Sequence, residues 1–219
     1  MQKRVARGET RIFPALAVLV LPAFLAALPN RYQLMPREFS FTAGAALAIP
    51  MLLAGFFPAN SLFARIERYA IAIGAPFAGA VELALLAVLF VDMVKPNSGM
   101  DGLTLLSTSI AIWVNNVMIF ALVYWEIDRG GPEGRASGWK GRVDFTFPKG
   151  DPSDRVPDDW QPRFVDYLSL AYNTSTAFSP TDVLPLRPRA KMLMMVQSFI
   201  SLVTVVAVGA RAINILGSQ

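Results

Sequence analysis

The stretch Leu103-Thr-Leu-Leu-Ser-Thr-Ser-Ile-Ala-Ile-Trp-Val-Asn-Asn-Val-Met-Ile-Phe-Ala-Leu-Val-Tyr124 runs 22 residues without an Asp, Glu, Lys or Arg. As a helix it rises about 33 Å at 1.5 Å per residue, enough to cross a hydrocarbon core about 30 Å thick. It is apolar on nearly every face, as a lipid-embedded helix is and an amphipathic surface helix is not. Working outward, Tyr69–Val94 is broken only by Glu82 and Asp92, and Phe39–Phe57 and Ile12–Leu28 carry no charge. Met192–Leu216 is interrupted only by Gln197 and Arg211. The pattern predicts an all-α, polytopic membrane protein with five transmembrane helices. Prolines 14, 22, 50 and 76 fall inside these spans. Membrane helices tolerate proline because neighbouring groups re-satisfy the freed carbonyls, so kinks are expected there.

Composition agrees. Of 219 residues, 54% are hydrophobic and 16% charged, against about 45–50% and 25% in soluble domains. The chain contains no His and no Cys. That removes disulfides, thiol nucleophiles, imidazole acid–base chemistry and the usual zinc and haem ligands. With no nucleophile–base pair or metal-ligand set in view, an enzyme is the class least favoured. Neither cofactor nor metal is expected.

Charge placement sets an expected orientation. Lys3, Arg4, Arg7 and Arg11 precede the first span, Arg65 and Arg68 follow the second, and seven Lys or Arg follow the fourth. Lys95 is the only base between the third and fourth spans, while Arg31 and Arg37 lie between the first and second. By the positive-inside rule the N-terminus faces the cytoplasm, as for a multi-pass protein of a bacterial cytoplasmic membrane. A basic run ahead of an apolar one also describes a signal peptide. No small-x-small cleavage site precedes Pro29, and Ile12–Leu28 is read as a span. The net charge of +4 belongs to membrane orientation, and nucleic acid is not an expected partner.

The chain divides into an N-terminal four-helix region (1–124), a polar loop rich in Gly, Asp and Pro (125–163) and a C-terminal unit (164–219). In the loop eight acids stand against seven bases, and its carboxylates are expected to be solvated surface charge. Val143–Phe147 alternates like a short strand, but nothing else in the sequence offers it a partner.

The C-terminal unit opens with Phe164–Phe178, too short to cross the bilayer. A turn, Ser179-Pro180-Thr181-Asp182, and then the last span follow it. A half-length helix, an irregular turn and a full helix make a re-entrant segment, whose non-helical backbone survives only inside protein or beside water. An interfacial helix lying flat, with Trp160, Tyr167 and Tyr172 at headgroup level, is the other reading. The run Asp166-Tyr-Leu-Ser-Leu-Ala-Tyr-Asn-Thr-Ser-Thr-Ala-Phe-Ser-Pro-Thr-Asp182, then Pro185 and a small-residue-rich helix, resembles the pore helix, filter and inner helix of pore-loop cation channels. It is more closely similar to a family of uncharacterised bacterial membrane proteins whose C-terminal part is related to two-transmembrane potassium channels. That family also carries a loop like Asp144-Phe145-Thr146-Phe147-Pro148, and the similarity covers residues 125–216. It implies a homo-oligomer, a tetramer if the protein is a channel, with monovalent cations as the permeant ions. The departure from a potassium filter is specific. Thr-Val-Gly-Tyr-Gly-Asp relies on glycines to aim carbonyls at the ion, and Ala177, Phe178, Ser179, Pro180 and Thr181 stand in their place. A wider pathway lined by Thr174, Ser175, Thr176, Ser179 and Thr181, with Asp182 at its mouth, is the expectation that survives. Ser179 or Thr181 simply turning the chain is the alternative.

Gln197, Ser201, Thr204, Val208 and Arg211, spaced four, three, four and three, form a stripe on the last helix that faces either water or another helix. In the third span, Glu82 lies deep enough to need a partner or a cavity. It is expected either to be a proton or cation site, or to bond Asn115 or Asn116 on the fourth span. With the N-terminus inside and five spans, the turn faces the cytoplasm, opposite to the potassium-channel pattern. Three functions follow: a weakly selective cation channel, a non-conducting membrane scaffold or partner-binding subunit, and a proton-coupled transporter using Glu82.

Overall fold

The computed structural model describes residues 10–57, 61–95, 102–148, 160–176 and 182–217. The chain is all-α. Its helices are α1 (Ile12–Ala27), α2 (Arg37–Phe56), α3 (Ser61–Val94), α4 (Gly102–Ile127), α5 (Gly131–Ala136), α6 (Phe164–Thr176) and α7 (Pro188–Gly217). Two-residue strands β1 (Phe145–Thr146) and β2 (Leu184–Pro185) are the only strands among the described residues. Four helical stretches, Arg37–Phe56, Leu62–Met93, Gly102–Ala136 and Pro188–Val208, are long and apolar enough to cross a membrane. The expected fifth, Ile12–Leu28, is shorter than the sequence suggested. Leu28 is extended (ψ 150°) ahead of Pro29, where the proline ring disfavours helix. The remaining 16 residues rise about 24 Å.

Helices α1 to α4 alternate in direction, and named contacts fix which ends meet. Arg11 Nε lies 3.5 Å from Glu67 Oε1, and Arg68 Nε 3.6 Å from Glu126 Oε1. Arg189 Nη2 donates to the Ile127 carbonyl at 3.0 Å. The starts of α1, α3 and α7 and the end of α4 therefore share one end of the bundle. At the other end Tyr32 Oη donates to Asp92 Oδ2 at 3.1 Å, tying the α1–α2 connection to the end of α3. Basic residues are divided unequally between these ends. Arg11, Arg65, Arg68, Arg129, Arg135, Lys140, Arg142, Arg163, Arg187, Arg189 and Lys191 belong to elements at the first, and Arg31, Arg37 and Lys95 to elements at the second.

The central helix is α4, with 61% of its apolar window buried against 22–28% in the other three. Around it, large apolar side chains such as Phe13, Ile73, Phe199 and Leu202 point outward and are exposed. That is the arrangement expected where the solvent is lipid. Helices α1 and α2 pack closely because Gly44 has no side chain: a Cβ there would sit 2.9 Å from Pro22 Cγ. Burial and the hydrogen bond to Asp92 push the Tyr32 phenol up to about 12. A raised folded pKa means that this tie is whole below pH 10 and weakens as pH rises towards 12. A tyrosinate absorbance titration should show as many tyrosines ionising at pH 11 in the unsubstituted protein as in Tyr32→Phe, where an unshifted Tyr32 would add one.

The polar loop leaves α4 through a tight turn. Arg129 (φ +55°), Gly130 (φ +74°) and Gly131 (φ +74°) turn the chain out of α4, a left-handed run that glycine adopts without strain. Strand β1 pairs antiparallel with β2, Phe145 opposite Pro185 and Thr146 opposite Leu184. The partner that sequence reading did not find is thus the segment leading into α7. Two residues carry no period, so only proximity in space makes them a ladder.

Candidate functional site at the α4–α6–α7 seam

Helix α6 lies antiparallel along α4. The Phe164 ring meets Trp125 edge-on at 6.1 Å, and Tyr172 meets Trp113 at 5.5 Å. With 13 residues α6 rises about 20 Å, so it enters from the end of α4 and stops part-way along it. Its last turns face Gln197, nine residues or about 14 Å into α7. By Leu184 the chain is back beside β1 at the end from which α6 started. The half-length helix thus begins and ends its excursion on one side of the bundle.

Gln197 is fully buried where the three helices meet. Its Nε2 donates to the Ala171 carbonyl and to Ser175 Oγ, both at 2.7 Å, and its Oε1 accepts from Tyr124 Oη at 2.6 Å. Asn116 Nδ2 donates to the Gln197 carbonyl at 3.1 Å and to Ser201 Oγ at 2.7 Å. Ser198 Oγ donates to the Thr174 carbonyl at 3.3 Å. Thr174 and Thr204 donate to the carbonyls of Leu170 and Ile200 in their own helices, and Thr176 to that of Asn173. The stripe of Gln197, Ser201 and Thr204 therefore turns towards the chain's own helices. The hydroxyls of Thr174, Ser175 and Thr176 make bonds within the chain. Asp182 is exposed. Ser179, Thr181 and the side chain of Arg211 lie outside the described residues.

Beneath the seam, at the basic end, the loop carboxylates Glu126, Asp128 and Asp144 are not solvated as expected, while Glu133 is exposed and Asp151, Asp154, Asp158 and Asp159 lie outside the described residues. Asp128 and Asp144 are both fully buried. Asp128 Oδ1 accepts from the backbone N–H groups of Asp144 (2.8 Å) and Phe145 (3.3 Å), and Oδ2 from Tyr167 Oη (2.7 Å). Arg189 grips Asp144 with two parallel bonds, Nε to Oδ1 and Nη2 to Oδ2, each 2.6 Å. This fork is the strongest geometry an ion pair takes. Arg135 donates to the carbonyls of Trp125 (2.7 Å) and Asp128 (3.1 Å) and lies over the rings of Trp125 and Tyr167. Tyr167 stands 39 residues from Asp128 and Arg189 stands 45 from Asp144, which hides these pairs from a linear reading. The clamp joins the end of α4, the start of α6 and the start of α7 into one unit.

Glu82 and Asn115 are brought together on the wall of a cavity of about 580 Å³ between α1, α2, α3 and α4. The expected tie between α3 and α4 does not form. Asn116 is engaged by α7, and neither Glu82 carboxyl oxygen has a hydrogen-bond partner. Sequence reading located Glu82 and Asn115 but not the cavity, and it did not single out Tyr124, Asp128, Arg135 or Arg189. No protein-family model matches this chain, and no curated protein or solved structure shows significant similarity to it.

Proposed function

We propose that this chain is a multi-pass protein of a bacterial cytoplasmic membrane and a pore-loop-type subunit of a homo-oligomer, a tetramer if it conducts. In this reading α1 is a fifth, short crossing, since Arg11 lies at the basic end and Tyr32 at the other. The basic end faces the cytoplasm. The observation that carries the proposal is the half-length α6, packed between α4 and the last helix, α7, with the chain back by Leu184 at the end where α6 began. Monovalent cations would pass with weak selectivity at the 177–182 turn, attracted by Asp182.

Flux from liposomes under potassium, sodium and chloride gradients tests this directly. Cation flux is expected, falling several-fold in Asp182→Asn, a change at an exposed position outside the buried clamp. Equal flux in the two proteins would sink the pathway. A second reading, a non-conducting scaffold or partner-binding subunit, draws support from the seam itself, where the Ser175 and Ser201 hydroxyls already hold helices together. It predicts flux no greater than that of empty vesicles, with partner capture through the loop at 125–163. Proton-coupled transport through Glu82 predicts gradient-driven uptake that is lost in Glu82→Gln.

A further inference from the structure

We propose that the cavity between α1, α2, α3 and α4 is a binding site for a lipophilic primary ammonium ion, its head held by Glu82 and Asn115. The site is separate from the α6–α7 turn and does not depend on conduction there. Its volume, about 580 Å³, falls within the roughly 300–1,000 Å³ of small-molecule sites. The walls are apolar, with Leu21, Leu25, Phe77 and Ile119 among them.

Apart from Tyr69, which is largely exposed, the polar side chains on the lining divide into two sets. Those contributed by the α1–α2 connection and the start of α2 are already paired. Tyr32 donates to Asp92, Gln33 Nε2 to the carbonyls of Ala26 and Leu28, Arg37 to Gln33 and Asn30, and Ser40 to the Pro36 carbonyl. The deep set is not. Glu82 and Asn115 are each 3% exposed, and Glu82 Oε1, Glu82 Oε2 and Asn115 Oδ1 have no hydrogen-bond partner. Asn115 lies near the midpoint of α4, so these three oxygens sit about halfway through the bundle. A buried carboxyl group in an apolar wall is stabilised by a cation or donor that reaches it.

All three free atoms are acceptors, and a primary ammonium presents three N–H donors with one positive charge. A quaternary ammonium offers the charge without donors, and an alcohol offers a donor without the charge. The Tyr32–Asp92 contact stands ten residues of α3 beyond Glu82, about 15 Å. An alkyl or arylalkyl tail of about that length would lie along the apolar lining between Glu82 and Tyr32.

The probe is a phenethylamine carrying a trifluoromethyl group, followed by fluorine NMR with the whole protein in phosphatidylcholine nanodiscs. Saturable binding above that of empty discs is expected. Affinity should fall at least tenfold in Glu82→Gln and for the trimethylammonium and alcohol analogues. Ala78→Phe, which puts a bulky ring into the cavity but keeps Glu82, should weaken binding at least tenfold, and unchanged binding would count against the site. If Glu82→Gln does not fold, the analogue series on the unmodified protein and Ala78→Phe still decide. Equal binding by Glu82→Gln, equal binding of the analogues, or no saturable binding would each overturn the proposal. Displacement of the probe by added phosphatidylethanolamine would support the site and make a lipid headgroup the source of the ammonium; saturable binding without displacement would make a free amine the source.

Discussion

Asp128→Ala is expected to be the most damaging single substitution at the basic end, lowering stability by about 4 kcal/mol. The side chain is fully buried and accepts three hydrogen bonds, from two backbone N–H groups and the Tyr167 hydroxyl. Alanine leaves all three donors without that acceptor, and each buried orphan costs about 1–3 kcal/mol. Partial relaxation keeps the sum below the simple total. For a chain of this size the loss corresponds to roughly 8–16 °C in melting temperature, readable by thermal unfolding in detergent. Tyr167→Phe removes one donor and leaves the carboxylate two partners, so about 1 kcal/mol is expected there. In the Asp128→Ala background Tyr167→Phe should cost nearly nothing, since the hydroxyl has already lost its acceptor. Additive effects of the two substitutions would show that the Asp128–Tyr167 bond does not join the loop to α6.

Gln197→Leu should come second, at about 2 kcal/mol. Interhelical hydrogen bonds within membranes average about 0.6 kcal/mol each, and Gln197 makes three through its side chain. The Tyr124 hydroxyl, left without its acceptor, adds to the loss. The effect should be local to α6. The Ala171 carbonyl has its helical bond, but Ser175 loses its tie to α7. The absence of native cysteine allows a clean readout, because a single cysteine at position 174 is buried in the intact seam and leaves the Ser175 hydroxyl in place. Its labelling by a maleimide should speed up at least several-fold in the leucine variant. Unchanged labelling would mean that α6 is held by its contacts to α4 alone. Adding Tyr124→Phe should recover part of the lost stability by removing the orphaned hydroxyl, a coupling that a purely apolar seam would not show.

Much was legible in the linear sequence. Charge-free runs of the right length predicted all-α architecture and four of the five expected spans, because crossing 30 Å of hydrocarbon demands about 20 apolar residues whatever the neighbours do. The short α6 and the face shared by Gln197, Ser201 and Thr204 followed from helical geometry. Glu82 stood out as a carboxylate in an apolar run. The partners were another matter. Whether the Gln197 stripe faced water or helices, that Asp144 meets Arg189, that Phe145–Thr146 pairs with Leu184–Pro185, and that Glu82 opens onto a cavity instead of bonding an asparagine were all decided by tertiary structure. Periodicity reports a residue's own face and depth. It carries no information about which distant segment arrives opposite, and hydrogen bonds and ion pairs reach only about 3 Å.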